Sequence, residues 1–191
     1  MKKITLWLAA LCGGAIILSG CNILDKANGI ILYGDEEKVL SSLKEEHKGQ
    51  VEKESLSVKL MHTDGKRLMI MDETSAQYLL EKELLQEVKD GRDTEALSSI
   101  PELAEGETLL FAKKEDSDIG FDSLPDQMNY EGNIIIGDGR VYADMFLVVT
   151  DESFTELEAE AKTMGIIQYN KDPGGIGGFG VEKEQLVKIE E

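Results

Sequence analysis

Cysteine is nearly absent from this chain of 191 residues, which has only Cys12 and Cys21. Arginine is almost as scarce, with Arg67, Arg92 and Arg140, and Trp7 is the one tryptophan. Bases as a group are outnumbered, 20 Lys plus Arg against 38 Asp plus Glu, for a formal charge of −18. Nucleic-acid binding needs clustered cations to displace phosphate counterions, so this balance excludes it. The three prolines (Pro101, Pro125, Pro173) stand in loop-like surroundings, and no Pro-, Ser- or Gln-rich linker divides the chain. One domain is therefore expected. Long apolar runs are also missing: the longest, Ile4 to Leu18, contains no charge and spans about 15 residues before the small and polar Ser19, Gly20 and Asn22. Crossing the hydrocarbon core as a helix takes roughly 20. Catalytic signatures are absent as well, with no G-x-S-x-G, H-E-x-x-H or Walker A.

What is present begins with an address. Lys2 and Lys3 precede the short apolar run, as in a secretory signal. The run ends in Leu18-Ser19-Gly20-Cys21, a leucine and two small residues before a cysteine. This resembles the lipobox of bacterial lipoproteins. The resemblance implies that residues 1–20 are a signal peptide removed by the lipoprotein signal peptidase. It further implies that the Cys21 thiol receives a diacylglyceryl group and becomes the N-terminus. Residues 21–28 would be the lipidated N-terminus and a short tether, and 29–191 one acidic domain held at the cell membrane, outside the cytoplasm. Two acyl chains with about 30 methylenes, at about 0.8 kcal/mol each, anchor a protein without any basic patch. Cleavage removes Lys2, Lys3, Cys12 and Trp7, leaving 18 bases against 38 acids, a formal −20. With its one remaining thiol lipidated, the chain has no disulfide and no cysteine nucleophile. The opening Asn28-Gly29-Ile30-Ile31-Leu32-Tyr33-Gly34-Asp35 is similar to small lipoproteins of low-GC Gram-positive bacteria, a resemblance that implies no activity.

The body reads as α+β, a mixed and mostly antiparallel sheet with about three helices. Ile30–Tyr33 suits a buried strand, and a helix is expected from Glu36 to His47 with Val39, Leu40 and Leu43 on one face. Leu56, Val58, Leu60 and His62 alternate as in a strand, and Asp64-Gly65 turns the chain into Leu68–Met71 as a hairpin. Ala76, Leu79, Leu80, Leu84, Leu85 and Val88 keep helical spacing behind a Thr74-x-x-Gln77 capping box. Strands follow at Leu109–Ala112, Ile134–Ile136 and Val141–Thr150, the last two joined by a turn at Gly137-Asp138-Gly139. A third helix is expected from Ser153 to Met164, stopped by Gly165, with Ile166–Tyr169 and Leu186–Ile189 as closing elements.

Few residues invite a chemical reading. Asp-Glu pairs at Asp35, Asp72 and Asp151 each join an apolar strand to a helix. If those strands ran parallel in one sheet, the three aspartates would share an edge, either capping helices or holding a divalent cation. Capping is the preferred reading. Asp116, Asp118 and Asp122 have a spacing suggestive of a calcium loop, but glycine falls one position early and the closing glutamate is missing. Gly175 to Gly180 spells G-x-G-x-x-G, yet only 11 residues follow, too few for a dinucleotide fold. Ser41-x-x-Lys44 lacks its companion motifs. His62 continues the face of Leu56, Val58 and Leu60 and reads as a packed or rim histidine, and Met61, Met69 and Met71 read as core filler. No cofactor is expected. The leading expectation is a non-enzymatic, lipid-anchored binding or interaction domain, whose partner is an envelope protein or small ligand. An envelope hydrolase using a carboxylate pair and an accessory subunit of a membrane complex are the alternatives.

Overall fold

The computed structural model describes residues 27–63, 65–89, 93–121, 124, 128–175 and 177–190. Cys21 and the leader lie outside these residues, as do Asp64 and Asp122. The described chain has the strands β1 (Gly29–Gly34), β2 (Gln50–Thr63), β3 (Lys66–Asp72), β4 (Leu85–Val88), β5 (Thr94–Ala96) and β6 (Thr108–Phe111). The later strands are β7 (Asn129–Gly132), β8 (Ile134–Ile136), β9 (Met145–Val149), β10 (Glu160–Tyr169) and β11 (Lys183–Val187). The helices are α1 (Glu36–Lys44), α2 (Glu73–Glu81) and α3 (Asp151–Glu156). One sheet has the order β11-β1-β10-β2-β3-β9-β6-β7, and β5-β4-β8 form a second, smaller one. In the large sheet only β3 with β9 and β6 with β7 pair in parallel. The fold is thus α+β with a mixed, mostly antiparallel sheet.

In the large sheet β1, β3, β6 and β9 are covered on both faces, and for that reason they read as continuous hydrophobic runs. Alternation divides each run between two layers. β1 sends Ile31 and Tyr33 one way and Ile30 and Leu32 the other; β3 divides as Met69 and Met71 against Leu68 and Ile70. The first face is covered by α2, the small sheet and the terminal Ile189. The opposite face is covered in two patches, by Val39 of α1 and by Phe154 of α3. Met69 and Met71 lie in the first layer and Met61 against the other, so the three methionines form no common patch.

Four local expectations are corrected. The helix expected through Val88 stops at Glu81: Glu83 takes a left-handed conformation (φ 53°), and Leu85–Val88 form β4 against β8. Helical spacing of the leucines persists across the break because Leu84 and Leu85 still face the same core. The helix expected from Ser153 to Met164 ends at Glu156, and Ala161 and Met164 belong to the ten-residue β10. Gly165 is a mid-strand residue there, not a helix stop. Ile134–Ile136 and the strand after it do not form a hairpin, since β8 pairs with β4 and β9 lies between β3 and β6. Finally, Thr74 does not cap α2; the N-cap is Asp72, whose carboxylate accepts the Ser75 N–H at 2.7 Å. The expected pairing of the strands on either side stands: β2 and β3 are antiparallel, with Thr63 opposite Lys66. Among the described residues no helix is long and apolar enough to cross a membrane.

Candidate functional site

Two of the three acidic junctions meet. β3 and β9 are parallel neighbours, with Asp72 opposite Val149, so Asp72 and Asp151 emerge side by side. Both serve the start of α2: Asp72 accepts from Ser75 N–H, and Asp151 accepts from the Thr74 N–H at 3.3 Å and hydroxyl at 2.9 Å. The cap of α3 is Thr150, whose hydroxyl accepts the Ser153 N–H at 3.2 Å. Asp35 does not join them. Three successive antiparallel pairings separate β1 from β3, so the two strands run in opposite directions, which corrects the picture of three parallel strands on one edge. Asp35 holds the N-cap position of α1 but makes no capping bond. In the candidate calcium loop, Asp116 is buried and paired with Lys66, while Asp118 accepts from the Ser117 hydroxyl at 3.4 Å. Among the described residues no three His, Cys, Asp or Glu side chains converge to hold a metal ion. Gly175–Gly180 lies in the loop between β10 and β11, with no helix behind it.

The carboxylate of Asp35 goes instead to Lys162, a residue that the sequence did not single out. The Lys162 ammonium lies 2.7 Å from Asp35, 2.9 Å from Glu160 and 2.7 Å from Glu182, with its side chain 8% exposed. An ammonium has three N–H donors, and here each has a carboxylate. Hydrogen bonding from Lys162, then from Lys38, holds the Asp35 carboxyl down at about 2. The same contacts, Asp35 foremost, push the Lys162 ammonium upward. Glu182 also accepts the Tyr142 hydroxyl at 2.7 Å, and the Tyr142 ring stacks on Tyr33 with centroids 4.7 Å apart. Tyr33 donates to Gln185 at 3.0 Å, and Gln185 donates to the Ile136 carbonyl and to Asp138. Burial pushes both phenols up. A lysine this fully paired offers no free lone pair at neutral pH and acts neither as base nor as nucleophile. The cluster ties β1, β10 and the entry to β11 together.

An open concavity lies elsewhere, between α2 and the segment 97–103. Leu97, Ile100 and Leu103 pack half-buried on the main core, and the Leu97 N–H donates to the Leu85 carbonyl at 2.8 Å. This pins the segment beside the helix and leaves a cavity of about 640 Å³. Its apolar surface comes from Ala76, Tyr78, Ile100, Pro101 and Val148. Its rim carries Glu73, Gln77 and Glu81 along one stripe of α2, with Glu102 across from them, all four exposed. Spacings of four residues bring Glu73, Gln77 and Glu81 into line on the helix. Gln77 donates to Glu81 at 3.0 Å, and among the described residues no Lys or Arg pairs with Glu73, Glu81 or Glu102. Lys82, next in the chain, is turned away to Glu52 at 2.6 Å. The glutamate stripe was legible as the polar face of a helix. Its partner wall was not, because nothing local places Glu102 against α2.

Among curated proteins, none matches. A crystal structure of a candidate lipoprotein from Bacillus anthracis superimposes with a TM-score of 0.76 at 29% identity, covering 86% of this chain and all of that one. A family model described as an uncharacterised lipoprotein family matches residues 27–190, nearly the whole described body, and the chain belongs to that lipoprotein family.

Proposed function

We propose that the protein is a lipid-anchored, extracytoplasmic binding or interaction domain that receives its partner in the groove between α2 and the 97–103 segment. The observation behind this reading is the contrast between two polar regions. At Lys162 every strong group is satisfied internally, whereas at the groove an apolar floor and three glutamates face solvent with no cationic partner among the described residues. Cys21 carries the diacylglyceryl and palmitoyl chains, after removal of residues 1–20. Asn28 is tied to the other end of the body, its N–H to the Val187 carbonyl at 3.1 Å and its side-chain amide to Ile189 at 2.9 Å. The seven steps from Cys21 to Asn28 reach at most about 25 Å, so the body works close to the bilayer.

The experiment is crosslinking in intact cells with a photoreactive residue at Gln77, and at Ser41 on α1, which packs on the opposite face of the sheet. A protein adduct at Gln77 and none at Ser41 supports the reading. Equal capture at both positions, or none at Gln77, refutes it. Release of any product from cell-wall glycans or peptides would favour the hydrolase instead.

A further inference from the structure

We infer that the groove recognises a basic peptide segment of an envelope protein, with two cationic side chains about four residues apart along an extended strand. The inference rests on the binding reading above and names the chemistry of the occupant. Glu73 and Glu81 are eight helical residues apart, about 12 Å along the axis of α2. An extended chain advances about 3.3 Å per residue, so lysines at positions i and i+4 match that interval. Glu102 faces the stripe from the opposite wall, and the floor between them is apolar, formed by Tyr78, Ile100 and Pro101.

The charge of the occupant follows from what the groove can offer. A helix N-terminus ordinarily attracts anions, but at α2 the Thr74 and Ser75 N–H groups are already taken by Asp151 and Asp72. The end of the groove that would have been positive is thus occupied by carboxylates belonging to the fold. The neighbouring cation, Lys82, is bound to Glu52 and lies 5.8 Å from the Tyr78 ring centroid. An anionic or neutral occupant would leave the glutamates uncompensated beside an apolar surface as water is displaced. A cationic one pairs with them, and its stems and intervening side chains cover the floor.

The test uses the full chain purified in a zwitterionic detergent, so that the lipid surface does not itself attract the probe. The probe is a fluorescent ten-residue peptide, Lys-Ala-Val-Ala-Lys repeated twice, with its Glu-for-Lys counterpart as reference. Binding is read by anisotropy at moderate salt. The Lys peptide should bind and the Glu peptide should not. The double variant Glu73→Gln/Glu81→Gln should weaken binding by about tenfold, corresponding to two rim pairs. Glu36→Gln/Glu37→Gln on α1 removes the same charge from a different surface and should leave affinity within about twofold. Equal losses in the two variants would reduce the effect to net charge and overturn the inference, as would failure of the Lys peptide to bind at about 1 mM. A crosslinked partner at Gln77 combined with no peptide binding leaves the binding reading standing and overturns only the basic-segment assignment.

Discussion

Gly165 sits mid-strand in β10, opposite Leu32 on one side and Ser55 on the other, with α1 lying directly over it. A Cβ there would stand 2.7 Å from Val39 Cγ1 and 3.3 Å from both Leu43 methyls. Ordinary carbon contacts lie at about 3.5–4.0 Å, so α1 would have to lift by about 1 Å. Val39 cannot swing aside easily, because a valine in a helix holds one χ1 rotamer. Gly165→Ala should therefore incur an overpacking cost of about 1–3 kcal/mol. A smaller opposing gain of about 0.4–1 kcal/mol comes from the stiffer unfolded chain. The expected net is a loss of about 1–2 kcal/mol, or a fall in Tm of about 2–8 °C for a chain of this size. Urea denaturation followed by far-UV circular dichroism measures it. Val39→Ala alone should cost about 2 kcal/mol through lost burial and the space left behind. Combined with Gly165→Ala it should cost at least about 1 kcal/mol less than the sum, since the new methyl fills that space. Strict additivity, or a Gly165→Ala protein as stable as the original, would show that α1 does not rest on this glycine.

The remaining expectations follow from the acidic junctions and the leader. Asp72→Ala should destabilise by about 1 kcal/mol through loss of the α2 cap, with no effect of millimolar calcium on the melting temperature before or after the change. Thr150→Ala should act similarly on α3, whereas Asp35→Ala removes an ion pair and no cap. Asp35 is held at about 2 when folded, below the ordinary carboxyl value of about 3.9. The stability it contributes is therefore present above pH 4 and disappears as pH falls from about 4 to about 2. Asp35→Asn should flatten that part of an acid titration of stability, and an unchanged acid limb would refute the pairing with Lys162. Cys21→Ser should abolish incorporation of labelled palmitate and leave the precursor uncut; a labelled variant would show that the anchor lies elsewhere. Correctly processed chain should also lack tryptophan emission, because Trp7 leaves with the leader.

Much of the architecture was legible because it depends on short-range rules. The runs Ile30–Tyr33 and Leu68–Met71 announce strands buried on both faces, and the short connection between β2 and β3 sets Thr63 opposite Lys66. The start of α2 was visible in its spacing, although Asp72 rather than Thr74 supplies the cap. Where apolar residues keep helical spacing across a change of element, the pattern misleads. Leu84 and Leu85 look like another helical turn, and Ala161 and Met164 like the end of α3, yet both pairs lie in or beside strands. Periodicity reports which residues seek the core; it does not say whether a sheet edge stands ready to pair with their backbone.

The site divides along the same line. The acidic leaning, the lipobox and the glutamate stripe of α2 are properties of neighbouring residues, and the sequence by itself determined them. Strand order determined the rest. Parallel pairing of β3 with β9 carries Asp151 to the α2 amides, 77 residues away in the chain, while the antiparallel run from β1 to β3 sends Asp35 to Lys162. Docking of Leu97, Ile100 and Leu103 on the core sets Glu102 opposite Glu81. These are long-range pairings, fixed only when the whole apolar surface of the sheet is buried at once. No local spacing encodes them, and the groove and the Lys162 cluster exist only in the folded chain.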